Sequence, residues 1–109
     1  MSLYSDYLNE IGNKEIVEHD YGFATYLISG AECYVDDIYV RPEDRKTKKG
    51  LELANELTTI AKGRGCTYLL GTVNMRIKDP TSSVKNLLSY GFKLVKSSET
   101  MLMFTKELQ

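Results

Sequence analysis

CYVDDIYVRPEDRKTKKGL, residues 33–51, decides how the rest of the chain is read. Its first eight residues are rich in β-branched and aromatic types, with Gly30 shortly before them and Pro42 just after, and so predict a strand over 33–40. The next nine, RPEDRKTKK, are polar and strongly basic. From Gly50 onward the period changes. Leu53, Ala54, Leu57, Ile60 and Ala61 recur at steps of three and four, with Glu52, Glu56 and Lys62 on the other side. That spacing predicts an amphipathic helix over 50–61, stopped by Gly63 and Gly65. Residues 67–73, TYLLGTV, are nearly all apolar or β-favouring, as expected of a central strand covered on both faces. Strand, helix and strand in this order predict a right-handed crossover, with the strands at 33–40 and 67–73 parallel.

The flanks extend this unit. Upstream, 14–19 and 22–28 read as two strands joined through Asp20 and Tyr21, completing an antiparallel meander with 33–40. Apolar residues at 3, 4, 7, 8 and 11 predict a helix over 3–11, closed by Gly12. Downstream, a helix over 82–90 carries Val84, Leu87 and Leu88 on one face and ends at Gly91. Two strands follow at 92–95 and 101–106, with 97–99 as their turn. With no internal repeat and no linker, the expectation is a single α+β domain over residues 1–109, built on a mixed sheet.

Composition narrows the function. A chain of 109 residues buries roughly two-thirds of its unfolded surface on folding and needs no staple. A hydrophobic share of 42% with 27% charged residues argues against disorder and low complexity. No apolar run nears the roughly 20 residues that span a bilayer, and the opening MSLYSDYLNE has no signal-peptide pattern, so a cytoplasmic chain without a membrane partner is expected. Two cysteines and one histidine leave a disulfide scaffold or a zinc site short of ligands, so no metal is expected. Cys33 and Cys66 read as buried thiols, with no activating neighbour in sequence, and His19 reads as a strand-end surface residue.

Charge is unevenly spread. Residues 1–37 hold eight acids against Lys14, a net of −7, whereas residues 38–109 hold 13 basic residues against seven acids, a net of +6. Either the two sets interleave on a solvated surface or they serve two partners of opposite sign. The sharpest feature is local. Arg41, Arg45, Lys46, Lys48 and Lys49 crowd the start of the predicted helix, where the helix dipole favours acids. Each misplaced cation costs a few tenths of a kcal/mol, on the order of 0.3. A polyanion seated on the helix N-terminus would resolve the conflict, since backbone N–H groups, dipole and cations would all point at it. A solubilising basic loop is the plain alternative. No GxxxxGK(S/T) is present and no GxGxxG follows a strand, which excludes a P-loop and a dinucleotide fingerprint. A nucleic-acid groove is disfavoured, because the cations cluster at one helix end instead of spreading between aromatics.

The run from Tyr34 through Val40, Arg41 and Pro42 to Arg45-Lys46-Thr47-Lys48-Lys49-Gly50 resembles the acetyl-CoA-binding segment of the GCN5-related N-acetyltransferases (GNAT). In that family a strand ending in an L-x-V-x-P-like pattern leads to (Q/R)-x-x-G-x-(G/A) at a helix start. SVKNLLSYGF, residues 83–92, is similar to the family's later helix ending in Gly-Phe, and TMLMFTKEL, residues 100–108, matches its closing strand. The resemblance covers roughly residues 14–107 in the right order. It implies an acyl-CoA N-acyltransferase fold, acetyl-CoA as co-substrate, and direct acetyl transfer to an amine.

The resemblance also assigns roles. The main chain of Ile38, Tyr39 and Val40 would pair with the pantetheine arm, and an N–H near Ile38 or Tyr39 would polarise the thioester carbonyl. The amides of Arg45, Lys46, Thr47, Lys48, Lys49, Gly50 and Leu51 would hold the diphosphate, with Thr47 also capping the helix. Asp36 and Asp37 are the candidate bases. Strand alternation would send them to opposite faces, which favours Asp36, and a bulge would reverse that preference. Glu32 is a more distant candidate, and Tyr39 could line the acyl pocket.

Two positions depart from the family pattern. Lys48 replaces the middle glycine of the signature, and Leu87 stands where many members carry the tyrosine that protonates the leaving thiolate. Tyr90 is expected on a different side of the helix from Leu87. The acidic first third favours a cationic acceptor, such as a protein lysine, a polyamine or an amino-sugar, and a homodimer could supply a missing wall. The competing reading is a non-catalytic acyl-CoA-binding or protein-interaction module on the same fold.

Overall fold

Alternation and turn chemistry shape the first half of the sheet. The computed structural model describes Leu3, residues 14–76 and residues 79–108; the helix expected over 3–11 lies, Leu3 apart, outside the described residues. Strands β1 (Glu15–His19), β2 (Gly22–Ser29) and β3 (Glu32–Val40) form the expected antiparallel meander. A 3-10 turn over Pro42–Asp44 follows, then helix α1 (Lys49–Gly63), strand β4 (Tyr68–Asn74), helix α2 (Pro80–Ser89), and strands β5 (Lys93–Ser97) and β6 (Met101–Glu107). Among the described residues no helix is long and apolar enough to cross a membrane.

The six strands make one mixed sheet in the order β1-β2-β3-β4-β6-β5. β3 and β4 are parallel, as the crossover requires, and β4 then pairs antiparallel with β6. Leu53, Leu57 and Ala61 of α1 are buried, as are Cys33, Val35, Leu69, Val73 and Phe104 of the sheet. Ile60 of α1 and Val84 and Leu87 of α2 pack against that same cluster, so both helices share one core. Gly91 closes α2 at a φ of 95°, a left-handed conformation that glycine adopts without steric cost.

Two expectations are corrected. β4 is not covered on both faces: Leu69, Gly71 and Val73 are buried, but Tyr68, Leu70 and Thr72 are only half-buried. Leu88 does not share the apolar face of α2 but is 52% exposed, whereas Val84 and Leu87 pack on the core.

Candidate active site

The site begins where a ladder stops. β3 and β4 are in register at Glu32↔Tyr68, Cys33↔Leu69 and Tyr34↔Leu70, and no further. Beyond that point the strands separate, and β3 from Val35 onward has no strand partner on its β4 side. A cleft of about 140 Å³ opens there, walled by Asp36, Asp37 and Ile38 on one strand and by Gly71 and Thr72 on the other. Ser83, Asn86, Leu87 and Tyr90 of the α2 region close it on the helix side. Across the mouth, the Tyr34 hydroxyl and Thr72 Oγ1 are hydrogen-bonded at 3.0 Å, which ties the two strands just as they part.

A bulge decides how the carboxylates are arranged. Thr25 pairs with Asp37 but Tyr26 pairs with Val35, which leaves Asp36 as the extra residue. The bulge breaks the alternation expected to send Asp36 and Asp37 to opposite faces. Thr25, the cross-strand partner of Asp37, also donates its Oγ1 to Asp36 at 3.4 Å, so both acids converge on one side of the sheet. Their environments differ. Asp36 is ion-paired with Lys14 at 3.1 Å. Burial in the cleft, and then the neighbouring charge of Asp36, hold the Asp37 carboxyl above its ordinary value, against a lowering hydrogen bond from the Ile38 N–H. Glu32 accepts from the Tyr68 hydroxyl at 3.0 Å, at the paired end of the ladder.

A second cleft of about 690 Å³ continues from the first, sharing Ile38, Asn86 and Tyr90, and runs to the N-terminal turn of α1. Tyr39, Val40, Arg45, Lys46, Thr47, Lys48, Gly50 and Leu51 all line it; the Lys49 side chain does not. Lys49 instead pairs with Glu52 at 3.6 Å and sits 4.9 Å above the Tyr21 ring. Arg45 also turns back, donating Nε to the Val40 carbonyl at 2.9 Å and lying over the Tyr39 ring. Arg41 is paired with Asp44. Lys46 and Lys48 keep no ion pair among the described residues, and Lys46 adopts a φ of 64° in the turn.

The helix start keeps unpaired donors among the described residues. Thr47 is not the cap residue, a position held by Lys48, but its hydroxyl accepts from the Lys49 N–H at 3.2 Å and donates to the Asp44 carbonyl. The Glu52 N–H is bonded to the Lys48 carbonyl at 2.9 Å. That leaves the N–H groups of Gly50 and Leu51 without partners among the described residues, the donors an anion would take. Lys48 has a φ of −88°, so its side chain costs the turn nothing in backbone strain. At Gly50, by contrast, a Cβ would stand 2.2 Å from the Tyr90 hydroxyl, so only glycine fits without moving the ring. A carboxylate is near as well: Asp79 caps α2 by accepting from the Ser82 N–H at 3.2 Å, and hydrogen bonding from the Ser82 side chain and then its N–H holds the carboxyl below its ordinary value.

A sheet that splays open between two parallel strands, with the gap leading to an uncapped helix start, is a distinctive arrangement. No sequence-family model matches the chain, nor does any curated protein sequence. Solved structures do. A Desulfovibrio desulfuricans protein assigned to the GNAT family of acetyltransferases superposes with a TM-score of 0.77 at 16% identity, over 95% of this chain and 76% of that one. The PaiA N-acetyltransferase of Thermoplasma acidophilum, solved with coenzyme A, gives a TM-score of 0.76 at 19% identity, over 96% and 68%. The ribosomal-protein-S18-alanine N-acetyltransferase of Escherichia coli gives 0.71 at 15% identity, over 100% and 78%. The chain has the GNAT fold.

The tyrosines and the remaining nucleophiles fall into place around this GNAT-fold cleft. Tyr90 is not on a different side of the helix from Leu87. Both line the cleft, as positions three apart on a helix do, so the spacing was the available signal. Asn86 and Ser83 also reach the cleft, a placement that sequence reading missed. Tyr39 lines the outer groove and stacks on Phe23 rather than entering the inner cleft. His19 pairs with Glu56 at 2.5 Å and stacks on Tyr21, away from the cleft. Cys33 and Cys66 are buried free thiols, and burial together with the neighbouring Cys66 pushes the Cys33 thiol up to about 12.

Proposed function

We propose that the protein is an N-acetyltransferase that moves an acetyl group from acetyl-CoA to a primary amine by direct attack. One observation carries this reading: the β3–β4 ladder stops after three pairs and opens into a groove that ends at the unpaired amides of Gly50 and Leu51. The free edge at Ile38 and Val40 offers main-chain groups to a pantetheine arm, while the Tyr39 carbonyl faces Gly22 of β2, and the helix start offers convergent donors to a diphosphate. The Val40 carbonyl already accepts one hydrogen bond from Arg45 Nε, which leaves its N–H and one further acceptor site for a ligand.

Acetyl-CoA would supply a thioester already activated for acyl transfer. The chain's own contribution is to position it, which can account for roughly 7–11 kcal/mol of the barrier, and to manage one proton. An alkyl ammonium is neutral in only about one part in a few thousand at pH 7. Asp37, with its elevated affinity for protons, is the base that takes this proton. The amine nitrogen bonds to the acyl carbon as the C–S bond breaks, the sulfur departs as thiolate, and the nitrogen gives its second proton to water. Leu87 offers no donor, and a thiol with a pKa near ~8.5 can leave without one and take its proton from water. Asp36 and Asp37, gathered on one face, suit a cationic acceptor such as a lysine side chain, a polyamine or an amino-sugar.

Leu87, the nearest side chain to Gly71 in the cleft, also fits a second reading, a module that binds acyl-CoA without turnover. Thermal shift and thiol release divide the two. CoA should raise the melting temperature, and free thiol should appear from acetyl-CoA only when an amine such as spermidine or a lysine peptide is added. Stabilisation without amine-dependent thiol release would establish the module. No stabilisation at millimolar CoA would remove both.

A further inference from the structure

We propose that Tyr90 is a cofactor-binding residue whose hydroxyl donates to the diphosphate of the CoA donor at the first turn of α1. The inference rests on the acetyl-CoA reading above and adds a residue to it. The Tyr90 ring packs against the hydrophobic core, which fixes the direction of its hydroxyl. That hydroxyl meets Gly50 so closely that a Cβ there would lie 2.2 Å away. It has no hydrogen-bond partner among the described residues, and neither do the Gly50 and Leu51 N–H groups beside it. The three unused donors therefore border one groove, which Lys46 and Lys48 also line. Burial pushes the Tyr90 phenol upward, which keeps it protonated and able to donate.

Leu87 lies against Gly71 inside the splayed cleft, and Tyr90 lines that cleft too, but the Tyr90 hydroxyl is set against Gly50 at the start of α1. A hydroxyl held there can fill the coordination that a helix start with only two free amides leaves incomplete. A hydrogen bond to a charged partner is the strong kind, and losing this one should weaken binding by about tenfold or more.

Calorimetric titration tests it with three ligands: CoA, dephospho-CoA, which keeps the diphosphate, and pantetheine, which lacks it. Tyr90→Phe should bind CoA and dephospho-CoA about tenfold more weakly than the parent while binding pantetheine equally well, and Tyr90→Leu should repeat the pattern. Matching melting temperatures of parent and Tyr90→Phe exclude misfolding. Unchanged CoA affinity in Tyr90→Phe overturns the proposal, and so does an equal loss for pantetheine, which would mark Tyr90 as packing only. A parent protein that binds none of the three overturns the acetyl-CoA reading itself.

Discussion

β4 has two edges, and they differ in kind. Toward β6 it is paired at seven successive positions, from Tyr68↔Glu107 to Asn74↔Met101, and Phe104 is buried opposite Gly71. Toward β3 it is paired at three positions and then released. Buried backbone groups must be paired with something. The closed edge satisfies them within the fold, so its side chains serve stability. The open edge leaves main-chain donors and acceptors unpaired by the sheet, and these are the groups that the proposed acetyl-CoA site would use. A single strand thus separates a fully paired half of the sheet from an open half that carries the proposed site.

The division can be broken most forcefully from the closed side. Phe104→Ala should cost about 3–5 kcal/mol of unfolding free energy, measured by denaturant titration, while the folded fraction keeps its CoA affinity. Lost affinity with stability intact would erase the distinction. From the open side, Asp37→Asn should lower kcat by about a hundredfold or more near pH 7. In the parent, kcat/KM should rise with pH through an apparent pKa above the usual Asp range. The same substitution should not destabilise the fold. A carboxyl held above its unfolded value supports the fold at low pH and loses that support as pH rises through its folded pKa. Asp37→Asn should therefore raise the melting temperature at neutral pH, with the gain vanishing below about pH 4.

Smaller effects sharpen the boundary. Gly50→Ala would ordinarily gain up to about 1 kcal/mol in a helix, but contact with the Tyr90 hydroxyl should turn this into a net loss of about 1 kcal/mol. Combined with Tyr90→Phe the loss should shrink, and double-mutant thermal denaturation would show the coupling. Least of all, Tyr34→Phe removes the bond to Thr72 across the mouth of the cleft and should cost about 0.5–1.5 kcal/mol. A wider mouth in that variant should show as faster hydrogen exchange at Thr72 and Val73 than at Met103 and Phe104.

Much of this was legible before any coordinates. Residues 33–73 announce their crossover because the hydrophobic period switches from strand to helix and back, and those periods come directly from backbone geometry. The cationic crowding before Gly50 was equally visible, since it violates a local electrostatic preference. What the crowding meant was only partly visible. Arg41, Arg45 and Lys49 turn out to be engaged by Asp44, by the Val40 carbonyl and by Glu52 with Tyr21, which leaves Lys46 and Lys48 facing the groove. Such pairings depend on which loops come together, and no spacing rule reports them.

Sequence by itself determined the order and type of the described elements, the parallel pairing of β3 with β4, and the cationic crowding at the start of α1, because each follows from interactions between residues close in the chain. The tertiary structure alone decided three things: where the β3–β4 ladder ends, that a bulge opposite Thr25 and Tyr26 brings Asp36 and Asp37 to one face, and that Tyr90 meets Gly50. Each of these concerns residues far apart in sequence. Their contact depends on twist, register and packing across the whole sheet, quantities that a local pattern does not encode.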